Sequence, residues 1–311
     1  MILCGERIRS DRRTVSFDGI LPSIQAGKAD FSAAGITITE ERAESVYFSD
    51  PYYEGGTMFA VLKTEQLAAG GTSILGGIRN SFNKTFIRED RWKLFLQGIL
   101  NTLLITVLSM LCGTALGFLV FMLCRKGGRM ANGITRFTMW LVQGMPVVVL
   151  LMILFYIVFS RAAISGLLVS VIGFTLTFGA AVIDLLKMGV GAVDPGQYEA
   201  ASAMGYTDRR AFFLIVLPQA LPHVLPAYKG EVAELIKATS IVGYITVLDL
   251  TKMGDIVRSR TYEAFFPLIT VTIIYFLLEG LFGRLISRIE VRLDPKKRKQ
   301  EKILKGVQTD D

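Results

Sequence analysis

The chain has 311 residues, of which 51% are hydrophobic and only 20% charged, and its mean hydropathy is positive, so it is too apolar for a single soluble globule. The formal charge of +7 does not point to nucleic acid, because the basic residues gather at the ends of apolar runs and in a carboxyl-terminal tail, where they orient membrane proteins. Cys4, Cys112 and Cys124 lack CxxC or metal-ligand spacing, and the single histidine, His223, has no second ligand or triad partner, so neither a catalytic nor a metal site is expected.

In chain order, the opening MILCGERIRSDRRTV lacks the apolar core of a signal peptide, and Ile2-Leu3-Cys4 lacks the hydrophobic stretch that a lipoprotein cleavage box requires. Short helical and strand patterns follow. Residues 18–26 form a capped amphipathic pattern closed by Gly27, 31–38 and 58–62 are strand-like, and Asp50-Pro51 makes a turn. Residues 1–66 thus read as a small, incomplete α/β fragment with a limited core. The pieces Gly27-Lys28-Ala29-Asp30, Thr37-Ile38-Thr39-Glu40-Glu41-Arg42 and Phe48-Ser49-Asp50-Pro51-Tyr52 resemble part of the first lobe of periplasmic polar-amino-acid-binding proteins. The resemblance implies that Thr37 and Arg42 hold a ligand α-carboxylate, for which a guanidinium fork is well suited, and that Phe17 stacks on the ligand side chain. That family's opening strand and helix and its whole second lobe are missing here, so a remnant is expected beside the reading of a weak, one-jawed clamp.

A Gly-, Ala-, Ser- and Thr-rich linker over 64–77 leads to a charged, aromatic stretch at 81–93, expected at the membrane surface with Trp92 among the headgroups; together residues 67–94 form a linker and interfacial helix. Five apolar runs, 95–124, 134–159, 164–183, 224–248 and 265–286, each approach the roughly 20 residues that cross about 30 Å of hydrocarbon. The predicted fold is therefore mainly α, a polytopic membrane helix bundle of about five spans over 95–290, preceded by the α/β fragment and followed by a basic tail at 291–311. With the carboxyl end inside, the inner segments carry sixteen Lys and Arg and the outer loops four, namely Arg161, Lys252, Arg258 and Arg260. This places the amino end outside and the tail in the cytoplasm. An outward fragment without a signal sequence suggests that Met1 is not the natural start, or that the fragment stays inside.

Between the third and fourth runs lies EAASAMGYTDRRAFFLIVLP, residues 199–218. Asp194 and Pro195 open the segment, Ala200, Ala201 and Ala203 favour helix, Gly205 ends it, and Asp208 can cap a second helix. Two short helices outside the hydrocarbon are expected, and Pro218, Pro222 and Pro226 are expected to mark the break between loop and span. Glu199, Ala200, Ala201, Gly205, Ile215, Leu217 and Pro218 fill every position of the EAA signature, and the segment resembles the coupling loop of ABC import permeases. The resemblance to the polar amino acid branch extends over residues 95–293, through Gly98 to Thr106, Gln143-Gly144-Met145-Pro146, Gln219-Ala220 and Lys237-Ala238-Thr239-Ser240. Gln143 stands where that branch usually has Arg, and Ala238 replaces an acidic residue.

The resemblance implies a multi-pass protein of the bacterial inner membrane whose loop 194–218 docks into separate cytoplasmic ABC ATPase subunits. It further implies a second permease copy, identical or not, a polar amino acid substrate, and a binding protein, fused or separate, that delivers it. No cofactor is expected in this chain, ATP and Mg residing on the ATPase. Asn83-Lys84-Thr85 lacks the Gly spacing of a P-loop, so the chain is not expected to be an enzyme. In the fourth run Glu231, Glu234 and Lys237 recur every three residues, fitting either a path for a zwitterion or an internal ion pair. Asp184 and Lys187 read as interfacial. Ser240-Ile241-Val242-Gly243-Tyr244 is superficially like a potassium filter, so a ligand-gated channel stands as the alternative, with a ligand-sensing receptor beside it.

Overall fold

The computed structural model describes residues 74–293, apart from 163 and 262, and a few single positions nearer the amino terminus. Among the described residues there is no strand; the α/β fragment predicted over 1–66 and most of the basic tail lie outside them. The chain enters through α1 (Ile74–Phe82) and two short helical turns with a kink at Glu89 and Asp90, both at positive φ (58° and 53°). Lys84 pairs with Glu263 at 3.4 Å, pinning this entry to the start of the last long helix.

Four helical segments are long and apolar enough to cross a bilayer: 92–125, 166–191, 208–245 and 265–293. They comprise α2 (Trp92–Lys126), α5 (Gly166–Gly191), α8 (Leu217–Ala238) with the turns on either side, and α10 (Phe265–Leu293). The second predicted run is not a straight span. It breaks into α3 (Arg129–Gly144) and α4 (Val147–Ile153), which runs on in a π-helical turn to Val158, and the two arms are bent by 105°. Pro146 causes the break: it has no N–H to continue the helix, and it holds Met145 extended at φ −110°, ψ 147°.

The bundle is apolar on its outer surface as well as in its core. On α2, Leu96, Leu100, Leu104, Leu108 and Leu111 face outward at four- or three-residue spacing, whereas Thr102, Thr106 and Ser109 are fully buried. Small and polar residues thus share the interior with Phe95, Ile105 and Phe121, as expected where lipid is as apolar as leucine and such residues allow close approach. Ser109 donates to the Val171 carbonyl at 3.3 Å, and Thr114 shares a 2.8 Å hydrogen bond with Tyr228. Along the α2–α5 seam Gly113 and Gly117 face Gly179, so the backbones nearly touch. Two shorter helices complete the membrane half: α6 (Gly196–Ala203) in the loop after α5 and α9 (Leu250–Thr261) between α8 and α10. Asp249 at the head of α9 is fully buried and accepts from the Thr251 and Lys252 amides at 2.8 and 3.2 Å; burial pushes its carboxyl up to about 6, against the lowering effect of those bonds.

Candidate functional site

The loop between α5 and α8 is built from its own sequence. Asp194 Oδ1 accepts from the Gly196 amide at 2.8 Å, tightening the turn that launches α6. The end of α6 is a Schellman arrangement: the Tyr206 amide bonds the Ala201 carbonyl and the Gly205 amide bonds that of Ser202, both at 3.0 Å. Gly205 sits at φ +80°, a conformation that costs an L residue roughly 1–2 kcal/mol. Gly205→Ala is therefore expected to destabilise this loop by about 1 kcal/mol, seen as faster proteolysis between Met204 and Tyr206 with the melting of the spans unchanged.

Thr207, rather than Asp208, caps the next helix, its hydroxyl accepting from the Arg210 amide at 3.5 Å. That helix, α7 (Asp208–Ala211), does not stop in the loop. It passes through a π-helical turn at Phe212–Val216 directly into α8, so 208–245 is one continuous helical rod. The expected break at Pro218, Pro222 and Pro226 is absent. Pro218 lies in the first turn of α8, and Pro222 and Pro226 follow at four-residue intervals, so the missing N–H groups fall on one strip and the remaining ladder survives. The expected pair of independent short helices is thus one short helix, α6, and the protruding end of a span.

Of the seven signature residues, Ala201 is fully buried and acts as a close-packing point, whereas Glu199, Ala200 and Gly205 are exposed together with Met204. Ile215 and Leu217 are half-buried, Pro218 is exposed, and Glu199 forms no ion pair among the described residues. A methionine, an aromatic edge at Tyr206 and a bare carboxylate form a protruding, unpaired surface.

Beneath it lies a residue that sequence reasoning passed over. Arg125, at the carboxyl end of α2, pairs with Asp208 at 2.5 Å and stacks its guanidinium 4.3 Å from the Phe212 ring centroid and 5.4 Å from that of Tyr198. One side chain therefore joins the first span, α6 and the foot of the 208–245 rod. Burial raises the Tyr198 phenol above its ordinary range, with the Arg125 charge pulling the other way. The sequence showed Arg125 only as one of several basic residues at a span end.

The charged residues of the fourth span do meet, with a partner that spacing alone did not reveal. Lys237 Nζ lies 3.7 Å from Glu234 and 4.0 Å from Glu279 on α10, while Glu231 is half-buried and outside that pair. Toward the carboxyl end of α5, Asp184 pairs with Lys187 at 3.6 Å and accepts from Gln143 Nε2 at 3.0 Å, so the residue standing in place of an arginine still holds the acid. The filter-like 240–244 stretch is a 3-10 helix with Val242 buried, and the Tyr244 carbonyl accepts from the Tyr156 hydroxyl at 3.2 Å. A selectivity filter needs an extended run of free carbonyls instead. Phe17, Thr37 and Arg42 lie outside the described residues.

A family model described as the binding-protein-dependent transport system inner membrane component matches residues 113–299. The chain belongs to this family. A putative glutamine transport system permease protein of Rickettsia bellii is 30% identical over 202 residues, which cover 63% of this chain and 91% of the relative. A probable amino-acid ABC transporter permease protein of Bacillus subtilis is 28% identical over 181 residues, covering 58% of this chain and 80% of its own length. Among solved structures, an amino acid ABC transporter superposes with TM-score 0.59 at 31% identity, over 64% of this chain and 94% of that one. The MetNI methionine ABC transporter in an inward-facing form gives TM-score 0.56 at 23% identity over 66% and 99%, a likeness of fold. This inner membrane component thus has its family's multi-pass helical body, and its family match begins inside α2 and takes in the whole EAA segment.

Proposed function

We propose that this chain is the permease subunit of an ABC importer for polar amino acids, and that α6 with the foot of the 208–245 rod is the surface its ATPase grips. The observation that carries this reading is the exposed Glu199-Ala200 face and Met204 of α6, anchored through Tyr198 and Arg125 to α2. Docking on that surface moves α6, α2 and the rod together. The loop side is cytoplasmic, as the distribution of lysine and arginine implies, and the amino end is outside. ATP and Mg belong to the separate ATPase, and hydrolysis occurs there. A second permease copy, identical or related, completes the path, and the α10 face bearing Phe276 and Leu277 is one that a membrane or that copy would cover. Glu231, Glu234 and Lys237, now with Glu279, are candidates for the wall of the path. Phe17, Thr37 and Arg42 remain candidates for ligand contacts in a partial lobe, beside a separate binding protein. The likeness of the fold to amino acid and glutamine permeases supports the substrate class.

The test is ATP hydrolysis by the full chain reconstituted in lipid with its cognate ATPase across a panel of amino acids. Stimulation by polar amino acids is the expected result, and stimulation by none, with the ATPase bound, would remove the substrate assignment. Glu199→Arg places a cation on the docking surface and is expected to weaken ATPase binding by at least about tenfold, a loss typical of one interface charge that meets a wrong partner. Unchanged binding of that variant would exclude α6 as the docking element.

A further inference from the structure

We infer that the groove between α8 and α10 is a binding site for an anionic phospholipid, with the lipid phosphate held by Lys229, Arg284 and Arg288 and the acyl chains lying against the groove's apolar wall. The groove has a volume of about 780 Å³ and runs along α10 from Phe276 to Arg292. Five of its ten residues on α10 recur at four-residue spacing, Phe276, Gly280, Arg284, Arg288 and Arg292, and form a strip along the helix. The strip is graded. Phe276 and Glu279 lie at its upper end and the cations from Arg284 downward, while Val232 and Ala233 of α8 with Phe282 give the groove an apolar wall at the level of Arg284. That lining suits a phospholipid with its headgroup on the cations and its tails on the apolar wall.

The two helices run antiparallel, tied by Lys229 to the Ser287 hydroxyl at 3.0 Å and by Lys237 to Glu279 at 4.0 Å. The lower end of the groove is therefore on the same side as the EAA loop. Arg284, Arg288 and Arg292 are exposed and form no ion pair among the described residues, and Lys229 meets only a neutral hydroxyl. Glu279, the one acid in the groove, lies above them and faces Lys237. Four cations thus line the lower groove over about 12 Å of α10, and Glu290, buried on the same helix, is not part of that lining. Two glycines keep the space open: a Cβ on Gly283 would come within 3.3 Å of Lys229 Cε, and one on Gly280 would meet the Arg284 guanidinium at 3.6 Å. Basic residues at the end of a span commonly only orient it, but these line a groove between two helices, which is how anionic headgroups are held at the cytoplasmic side. A second copy packed groove to groove about a two-fold axis would bring the same cations into its mouth, so for that arrangement charge favours the lipid.

The test is lipid retention by the full chain in detergent, read by native mass spectrometry after adding cardiolipin, phosphatidylglycerol or phosphatidylcholine. Cardiolipin and phosphatidylglycerol adducts are expected to persist and phosphatidylcholine to be lost. The double variant Arg284→Gln/Arg288→Gln is expected to bind roughly thirtyfold more weakly, equivalent to about 1 kcal/mol per basic side chain. Gly283→Leu, which fills the groove and leaves every charge in place, is expected to lose the adduct as well. The arginine pair lies on the exposed strip, so its result stands whether or not Gly283→Leu folds. Equal retention of phosphatidylcholine, undiminished binding by the arginine variant, or full retention by a folded Gly283→Leu protein would each overturn the site. Displacement by inorganic phosphate would reassign it to a free anion, and disulfide trapping between two copies through cysteines at 284 would give the groove to the second subunit. None of these measurements needs the ATPase, so the site stands or falls apart from the coupling assignment.

Discussion

Arg125→Ala is expected to leave the ATPase bound but to lower amino acid transport by at least tenfold, with hydrolysis continuing unstimulated. The guanidinium makes three contacts that no other side chain replaces: the 2.5 Å pair with Asp208 and the stacks on Phe212 and Tyr198. A charge-assisted bond contributes about 1.5–3 kcal/mol when shielded, which must be discounted because the Asp208 side chain is 62% exposed. Each cation–π contact adds ~0.5–1 kcal/mol, more where water is excluded. The sum, roughly 2–3 kcal/mol after that discount, is enough to shift α6 from one dominant position to several. The proposed docking face, with Glu199 and Met204, carries no substitution, so binding and coupling should separate. Arg125→Lys keeps the charge but not the planar stack and should fall between the two. The swap Arg125→Asp/Asp208→Arg would restore the ion pair alone. The measurement is transport and hydrolysis in the same proteoliposomes. Parallel loss of ATPase binding and transport would mean that Arg125 only supports the fold of the loop.

The contrast between Glu199 and Arg125 shows where the sequence was informative. A linear signature marked out the α6 segment because its constraints are local: a helix-favouring alanine run, a glycine at positive φ and a fixed distance to Pro218. The spans were legible for a similar reason, since hydrophobic length is a property of consecutive residues. Contacts between elements were not. Arg125 and Asp208 are 83 positions apart, and Lys237 and Glu279 are 42 apart, so no periodicity links them. The prolines misled in both directions. Pro146 sits where its neighbours leave the helix and so breaks it at 105°, whereas Pro218, Pro222 and Pro226 share one helical strip and leave the rod continuous. Composition could not separate these cases, because the outcome depends on what flanks each proline. Continuity has a functional consequence: a displacement at Asp208 reaches the membrane interior along a single helix, with no hinge of loop residues to absorb it.

Gly117→Leu is expected to cost about 3 kcal/mol or more, the upper range for overpacking, and to lower the thermal transition of the detergent-solubilised protein correspondingly. A Cβ on Gly117 would lie 2.6 Å from the Gly179 carbonyl oxygen and 2.8 Å from Val182 Cβ. The first of these is backbone, so no rotamer change relieves it, and α2 and α5 must move apart. Gly113 shares the seam, its added Cβ falling 3.2 Å from the Gly179 amide nitrogen. Small residues four apart therefore set the helix separation here, and in a bilayer close packing replaces the hydrophobic driving force that would otherwise hold the pair. Separation of the seam would also loosen the buried Ser109 to Val171 bond and the Thr114–Tyr228 pair on neighbouring turns. Gly117→Ala should give a smaller loss of the same sign. Gly133→Leu is the matched control, because a Cβ there meets nothing within 4 Å. If both leucine variants melt alike, helix spacing at this seam does not set stability. If only Gly117→Leu falls, the α2–α5 pair is the frame on which the Arg125 anchor stands, and transport should be lost in that variant even at temperatures where it remains folded.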